Sequence, residues 1–202
     1  MKLKNVIALV SLLASGNLFG ATGIFGSYIE IFTTTSTIYK GENFSSAPNI
    51  QGANFGTFTT GATLLLGNAQ VDTFKNTGAG DNVTGAQLQY RVYPTLSSPG
   101  AFLIHNFSFQ TNSTYTDLGG MTVSGGGDQA WGNTNDINLM ALTSGNGNYT
   151  LEVFFKAFTN LGDRFSSNGG NNFKANFTVV PEPSAALLGG LGMLALLRRR
   201  RS

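Results

Sequence analysis

Phe173-Lys174-Ala175-Asn176-Phe177-Thr178-Val179 sets Phe173, Ala175, Phe177 and Val179 on one side of an extended chain and Lys174, Asn176 and Thr178 on the other. A period of two marks a β-strand with one buried face, because successive side chains leave opposite sides of the pleat. The same alternation precedes it twice. Residues 86–93 place Ala86, Leu88, Tyr90 and Val92 against Gln87, Gln89, Arg91 and Tyr93, and Pro94 ends the run. Residues 151–158 turn Leu151, Val153, Phe155 and Ala157 inward, while Glu152, Phe154, Lys156 and Phe158 face out. Two outward phenylalanines call for a cover: a loop, a partner or a ligand.

Weaker strand patterns occupy residues 27–34, 55–60, 62–66, 69–74, 102–110, 121–124 and 137–142. Between them stand clusters of Gly, Asn, Asp and Ser at 76–81, 97–100, 124–128, 144–148 and 166–172, the residue types that turns demand. No helical period of useful length interrupts the series. About nine or ten short strands with frequent turns predict an all-β domain, an antiparallel two-sheet sandwich of jelly-roll type. The chain has no cysteine, so such a domain must hold without disulfides. About 150 residues can do so, since a domain of that size buries some two-thirds of its unfolded surface.

The 12 basic and 10 acidic residues give a net charge of +2, but the ends account for the sign. Lys2, Lys4 and Arg198 to Arg201 are six of the bases; between Thr22 and Thr178 stand six bases against nine acids, a net charge of −3. No Lys/Arg cluster is left there to track phosphates, which argues against nucleic acid as a partner.

Residues that carry catalysis are sparse. His105 is the one histidine, and by alternation it shares a face with Leu103, Phe107 and Phe109, which reads as a core or sheet-edge position. No Gly-x-Ser-x-Gly elbow accompanies it. The acids are scattered, so a hydrolase would need two of them brought together across a groove. The expectation is a protein that is not an enzyme, with no catalytic residues.

Two binding features stand out in residues 125–137. Trp131, the one tryptophan, sits in a polar, glycine-rich stretch that reads as a loop. There an indole would either offer a flat face to a sugar ring or plug one end of the sandwich. Asp128, Asn133, Asn135 and Asp136 supply hard oxygen donors that suit Ca²⁺, although they lack the spacing of an EF-hand loop and turn chemistry explains the same residues.

At the C-terminus, Val180, Pro181, Glu182 and Pro183 are followed by an uncharged apolar run, residues 185–197, and by Arg198, Arg199, Arg200 and Arg201. The prolines hold the chain extended around Glu182. As a helix the run would be roughly 20 Å long, a short span for a hydrocarbon core of about 30 Å. The arginines would stay cytoplasmic, with everything before Pro181 across the membrane. At the other end, Lys2, Lys4 and an apolar core at 6–14 read as a secretory signal peptide, residues 1–21. The organisation expected is therefore a signal peptide (1–21), a β-sandwich domain (22–179) and a sorting segment (180–202).

That C-terminal order resembles the PEP-CTERM sorting signal of Gram-negative bacteria that make exopolysaccharide. The resemblance implies export through the Sec translocon and an inner-membrane-anchored precursor. It also implies recognition by an exosortase, a membrane-embedded cysteine enzyme, and delivery to the cell surface or extracellular matrix. Residues 148–156 and 164–174, with Asn168-Gly169-Gly170-Asn171 between strands, are similar to the closing strands of small sandwich-type carbohydrate-binding modules. The functional expectation is a surface-sorted, non-catalytic β-sandwich. The alternatives are a carbohydrate-binding module for exopolysaccharide or glucan and, behind it, a matrix-glycan hydrolase.

Overall fold

The computed structural model describes residues 21–43, 45–76 and 80–182. Within them run ten strands and no α-helix: β1 (Thr22–Phe32), β2 (Ser36–Lys40), β3 (Asn54–Thr59), β4 (Leu65–Lys75), β5 (Val83–Pro94), β6 (Leu103–Thr116), β7 (Thr122–Asn138), β8 (Gly147–Thr159), β9 (Arg164–Ser166) and β10 (Phe173–Val180). Residues 1–20, expected from the sequence to belong to a signal peptide, together with Pro183, the apolar run and Arg198 to Arg201, lie outside the described residues.

The all-β expectation holds, but the strands make one sheet where two were expected. Their order is β2-β1-β4-β7-β6-β5-β8-β10-β3, with β9 beside β8, and the sheet curls into a half-barrel. The cause is β6. Residues 103–107 pair with β5, from Leu103 opposite Tyr90 to Phe107 opposite Ala86, and from Ser108 onward the strand pairs with β7. By changing partner in mid-course, β6 joins both halves and turns one toward the other. Strands that bend between sheets are the standard way to make such a corner.

The core fills the space between the halves. Ile29, Leu66, Val71 and Trp131 from one side meet Leu88, Leu151, Val153, Phe155 and Phe177 from the other in a single cluster. The rows Phe173/Ala175/Phe177/Val179 and Leu151/Val153/Phe155/Ala157 are buried as their alternation predicts. Each such large side chain taken from water contributes about 1.5–3 kcal/mol.

Two further expectations are corrected. The sheet is mixed, because edge strand β3 runs parallel to β10, with Thr57 opposite Thr178 and Thr59 opposite Val180. The chain after β2 crosses from one sheet edge to the other: Asn49 bridges Lys40, the Gly52 amide donates to the Lys174 carbonyl at 2.8 Å, and the Asn176 amide donates to the Ala53 carbonyl at 2.8 Å. It therefore arrives beside β10 already pointing the same way. The second correction concerns the glycine-rich stretch around Trp131, which is strand β7. A Cβ at residue 132 would stand 2.7 Å from the Ala69 carbonyl oxygen, so glycine here permits close approach of the neighbouring backbone.

Candidate functional site

The outward face of β5, β8 and β9 carries the aromatic surface that alternation in 151–158 predicts. Phe102 and Phe154 meet edge to face with centroids 5.0 Å apart, and Phe154 and Phe165 follow at 6.3 Å. Phe165, on short strand β9, is 53% exposed. Cations frame the row: the Arg91 guanidinium lies 4.0 Å from the Phe102 centroid, and the Lys156 ammonium 4.6 Å from that of Phe158. Arg91 is held by Glu152 through paired 2.9 Å contacts to both carboxylate oxygens and donates to the Gly100 carbonyl at 2.8 Å. Tyr93 and Asn172 also donate to Glu152, at 2.9 and 2.7 Å. Burial pushes the Glu152 carboxyl up, but the hydrogen bonds from Asn172, Arg91 and Tyr93 outweigh it and hold the group below its usual range. The network ties the 95–101 loop and the Asn-Gly-Gly-Asn turn to the sheet, so the face is preorganised.

A second polar cluster lies on the outer surface of β1 and β4, beneath the tip of the β6–β7 hairpin. Tyr28 donates to Asp117 at 2.6 Å, and Asn43 donates to both. Asp117 also accepts the Met121 amide at 2.7 Å. Beside it, one oxygen of Asp72 accepts from Gln70 at 2.6 Å and Tyr115 at 3.2 Å. The other, Oδ2, is buried against Gly26 without a hydrogen-bond partner. Burial first, then the negative charges of Asp117 and Asp128, raise the Asp72 carboxyl to about 7, against the lowering effect of the Gln70 and Tyr115 hydrogen bonds. Burial and Asp117 likewise push the Tyr28 hydroxyl well up.

The third feature is the exit of the chain. β10 stays in the sheet to Val180, whose carbonyl accepts the Thr60 amide at 3.0 Å, and the following Pro181 and Glu182 are exposed. A Cβ at residue 61 would lie 3.5 Å from the Glu182 carboxylate. The Pro-Glu-Pro segment thus starts at the rim of the fold, beside the β3–β4 turn.

The residues singled out in 125–137 do not form one site. Trp131 is buried in β7, opposite Val71 and Phe109, with its ring edge to face with Phe109 at 5.3 Å; its indole offers no open platform. Asp128 and Asp136 stand eight residues apart on the same strand, roughly 25 Å at the rise of an extended chain, too far to share an ion. Asn133 accepts the Ser108 amide at 3.2 Å and donates to the Asn106 carbonyl at 2.5 Å, and Asp136 stands with Glu30 around Gly67. Asn135 follows in β7. No group of three or more acidic or histidine side chains able to hold a metal occurs among the described residues. His105 is half-buried on β6, its Nε2 3.3 Å from Asn133 Nδ2 and its ring 6.1 Å from Phe107. Burial lowers its pKa. Phe102 and Phe165 were missed as site residues because neither lies within the alternating run of β8; only the fold sets them beside Phe154. No family model and no curated protein matches the chain.

Proposed function

We propose that the protein is exported, processed by an exosortase and delivered to the cell surface or extracellular matrix, where its β-domain serves without catalysis. In this reading residues 1–21 are a signal peptide used by the Sec translocon and residues 185–197 form a short helix that holds the precursor in the inner membrane. The observation that carries it is the order Val180-Pro181-Glu182-Pro183, apolar run, Arg198 to Arg201. The exposed exit of Pro181 and Glu182 from the end of β10 supports it, because a protease needs an extended, reachable segment. The test replaces Pro181, Glu182 and Pro183 with alanine. The full-length precursor should accumulate in the inner membrane, and normal surface delivery of the variant would refute the proposal.

A second reading has its own observation. The outward Phe102, Phe154 and Phe165 form a continuous apolar strip flanked by the donors Arg91, Gln89 and Lys156, the combination that suits the faces and hydroxyls of sugar rings. This favours a carbohydrate-binding role for exopolysaccharide or glucan, centred on that strip in place of Trp131. Affinity electrophoresis through polysaccharide gels tests it: Phe165→Ala should abolish retardation. Equal retardation of parent and variant would remove the strip from the binding site.

A further inference from the structure

At the end of the half-barrel where β10 leaves the fold, the connections between β3 and β4, β5 and β6, and β7 and β8 carry no charge. Residues 59–65, 92–104 and 138–148 contain no Asp, Glu, Lys, Arg or His. They sit together: Thr60 donates to Asn146 at 3.2 Å, the Thr95 amide donates to the Asn148 carbonyl at 3.0 Å, and the Leu139 amide to the Leu64 carbonyl at 2.9 Å. Two shallow clefts of about 340 and 350 Å³ lie among them, one lined in part by Thr60, Met140 and Val179, the other by Pro94, Leu96 and Tyr149. Leu96 projects fully, 101% exposed. The opposite end is different, since the chain leaving β2 and the β8–β9 turn bring the exposed carboxylates of Glu42 and Asp163 to its surface.

We infer that this rim rests on the lipid surface while the precursor is anchored, with Leu96 entering the headgroup–acyl boundary; the inference rests on the reading of 185–197 as a membrane segment. Only residues 181–184 separate Val180 from the apolar run, a reach of at most about 17 Å even when fully extended. The rim that holds Val180 therefore lies close to whatever receives residue 185. The Glu182 carboxylate beside Gly61 is exposed and stays hydrated at headgroup level, whereas charges within the connections themselves would lose hydration at high cost. Uncharged Ser, Thr and Asn side chains lose far less, and they can hydrogen-bond headgroups. An exposed leucine gains by entering the interface. Held in this way, the Pro-Glu-Pro segment lies at the membrane surface, where an enzyme embedded in the bilayer reaches it.

The cysteine-free chain makes the test direct. The full chain carrying Leu96→Cys or Leu161→Cys is labelled with a polarity-sensitive fluorophore and reconstituted into vesicles of phosphatidylethanolamine and phosphatidylglycerol. Leu161, 42% exposed in the β8–β9 turn, lies at the far end of β8 and is the matched control. Expected are co-flotation with the vesicles, a blue shift with loss of emission to a spin-labelled lipid at position 96, and quenching by aqueous iodide at position 161. Co-flotation with both labels open to iodide would overturn the rim contact and leave the anchor standing. Equal lipid quenching at both positions would overturn it too, since the domain would then lie on its side. Failure to float would refute the anchor, and the rim contact with it.

Discussion

Replacing Asp72 with asparagine should flatten the dependence of stability on pH and make the protein more stable than its parent above neutrality. Asp72 is buried beside Asp117, with Asp128 adding a further negative charge, and its carboxyl is raised from 3.8 to about 7. A carboxyl raised on folding contributes stability that is fully present below its unfolded pKa and lost as pH rises through the folded value. Here the loss runs from about pH 4 to about pH 7. Three pH units at about 1.4 kcal/mol each set a ceiling of roughly 4 kcal/mol, and relaxation of the covering hairpin brings the expected loss to about 2–4 kcal/mol. With a urea slope of about 1–3 kcal/mol/M, the midpoint should fall by about 1–2 M. Asparagine imitates the protonated acid. Its carbonyl oxygen keeps the bonds from Gln70 and Tyr115, and its amide group replaces the unpartnered Oδ2. Trp131, buried and the one tryptophan, reports unfolding by fluorescence. A parent whose urea midpoint is constant from about pH 5 to pH 8, or an Asp72→Asn variant that loses stability just as steeply, would refute the argument that burial beside Asp117 raises this group.

Arg91→Met should cost about 3 kcal/mol in urea unfolding, because Glu152, 3% exposed, would keep a buried charge without its cation; a loss under about 1 kcal/mol would mean that Tyr93 and Asn172 suffice. Glu152 opposes Asp72 in pH dependence: its carboxyl is lowered, so its contribution is present above the usual carboxylate pKa and disappears on acidification. The parent should consequently be most stable in mildly acid solution, and Glu152→Gln should remove the acid-side fall. Trp131→Ala should destabilise by about 3–5 kcal/mol as a buried ring is lost, visible as a lowered Tm. Phe165→Ala, at a half-exposed site, should stay within about 0.5 kcal/mol of the parent. A mild Trp131→Ala effect would mean that the indole is not part of the core.

The strands with one wet face were legible because burial alone shapes them. β10 and β8 match their alternating runs to within one to four residues, and β5 extends its run at the start to Val83 and at the end to Pro94. What alternation leaves open is the identity of a strand's neighbours. A residue pattern in β6 that serves β5 and then β7 looks the same as one serving a single partner, so one curled sheet was read as two. The parallel pairing of β3 depends on the crossing after β2, which joins two strands consecutive in sequence that lie at opposite edges of the sheet. Glycines 125–127 and 132 read as turn formers, whereas in β7 the last of them accommodates the Ala69 carbonyl.

The candidate site shows the same limit from the side of chemistry. Trp131 attracted a binding role through its polar neighbours, but in a strand the neighbours at i±1 point to the other face, and it is Val71 and Phe109 across the ladder that decide its environment. The outward Phe154 was a sounder signal, because an apolar side chain on a wet face needs an explanation from beyond its own strand. Two phenylalanines distant in sequence, Phe102 and Phe165, supply part of that cover and leave a face of their own in water. Phe165 sits on a strand of three residues that Arg164 and Ser166 tie to β1 as well as to β8, while its own ring stands 53% exposed. Deleting it should therefore change what the surface holds and leave the way the domain folds unaltered.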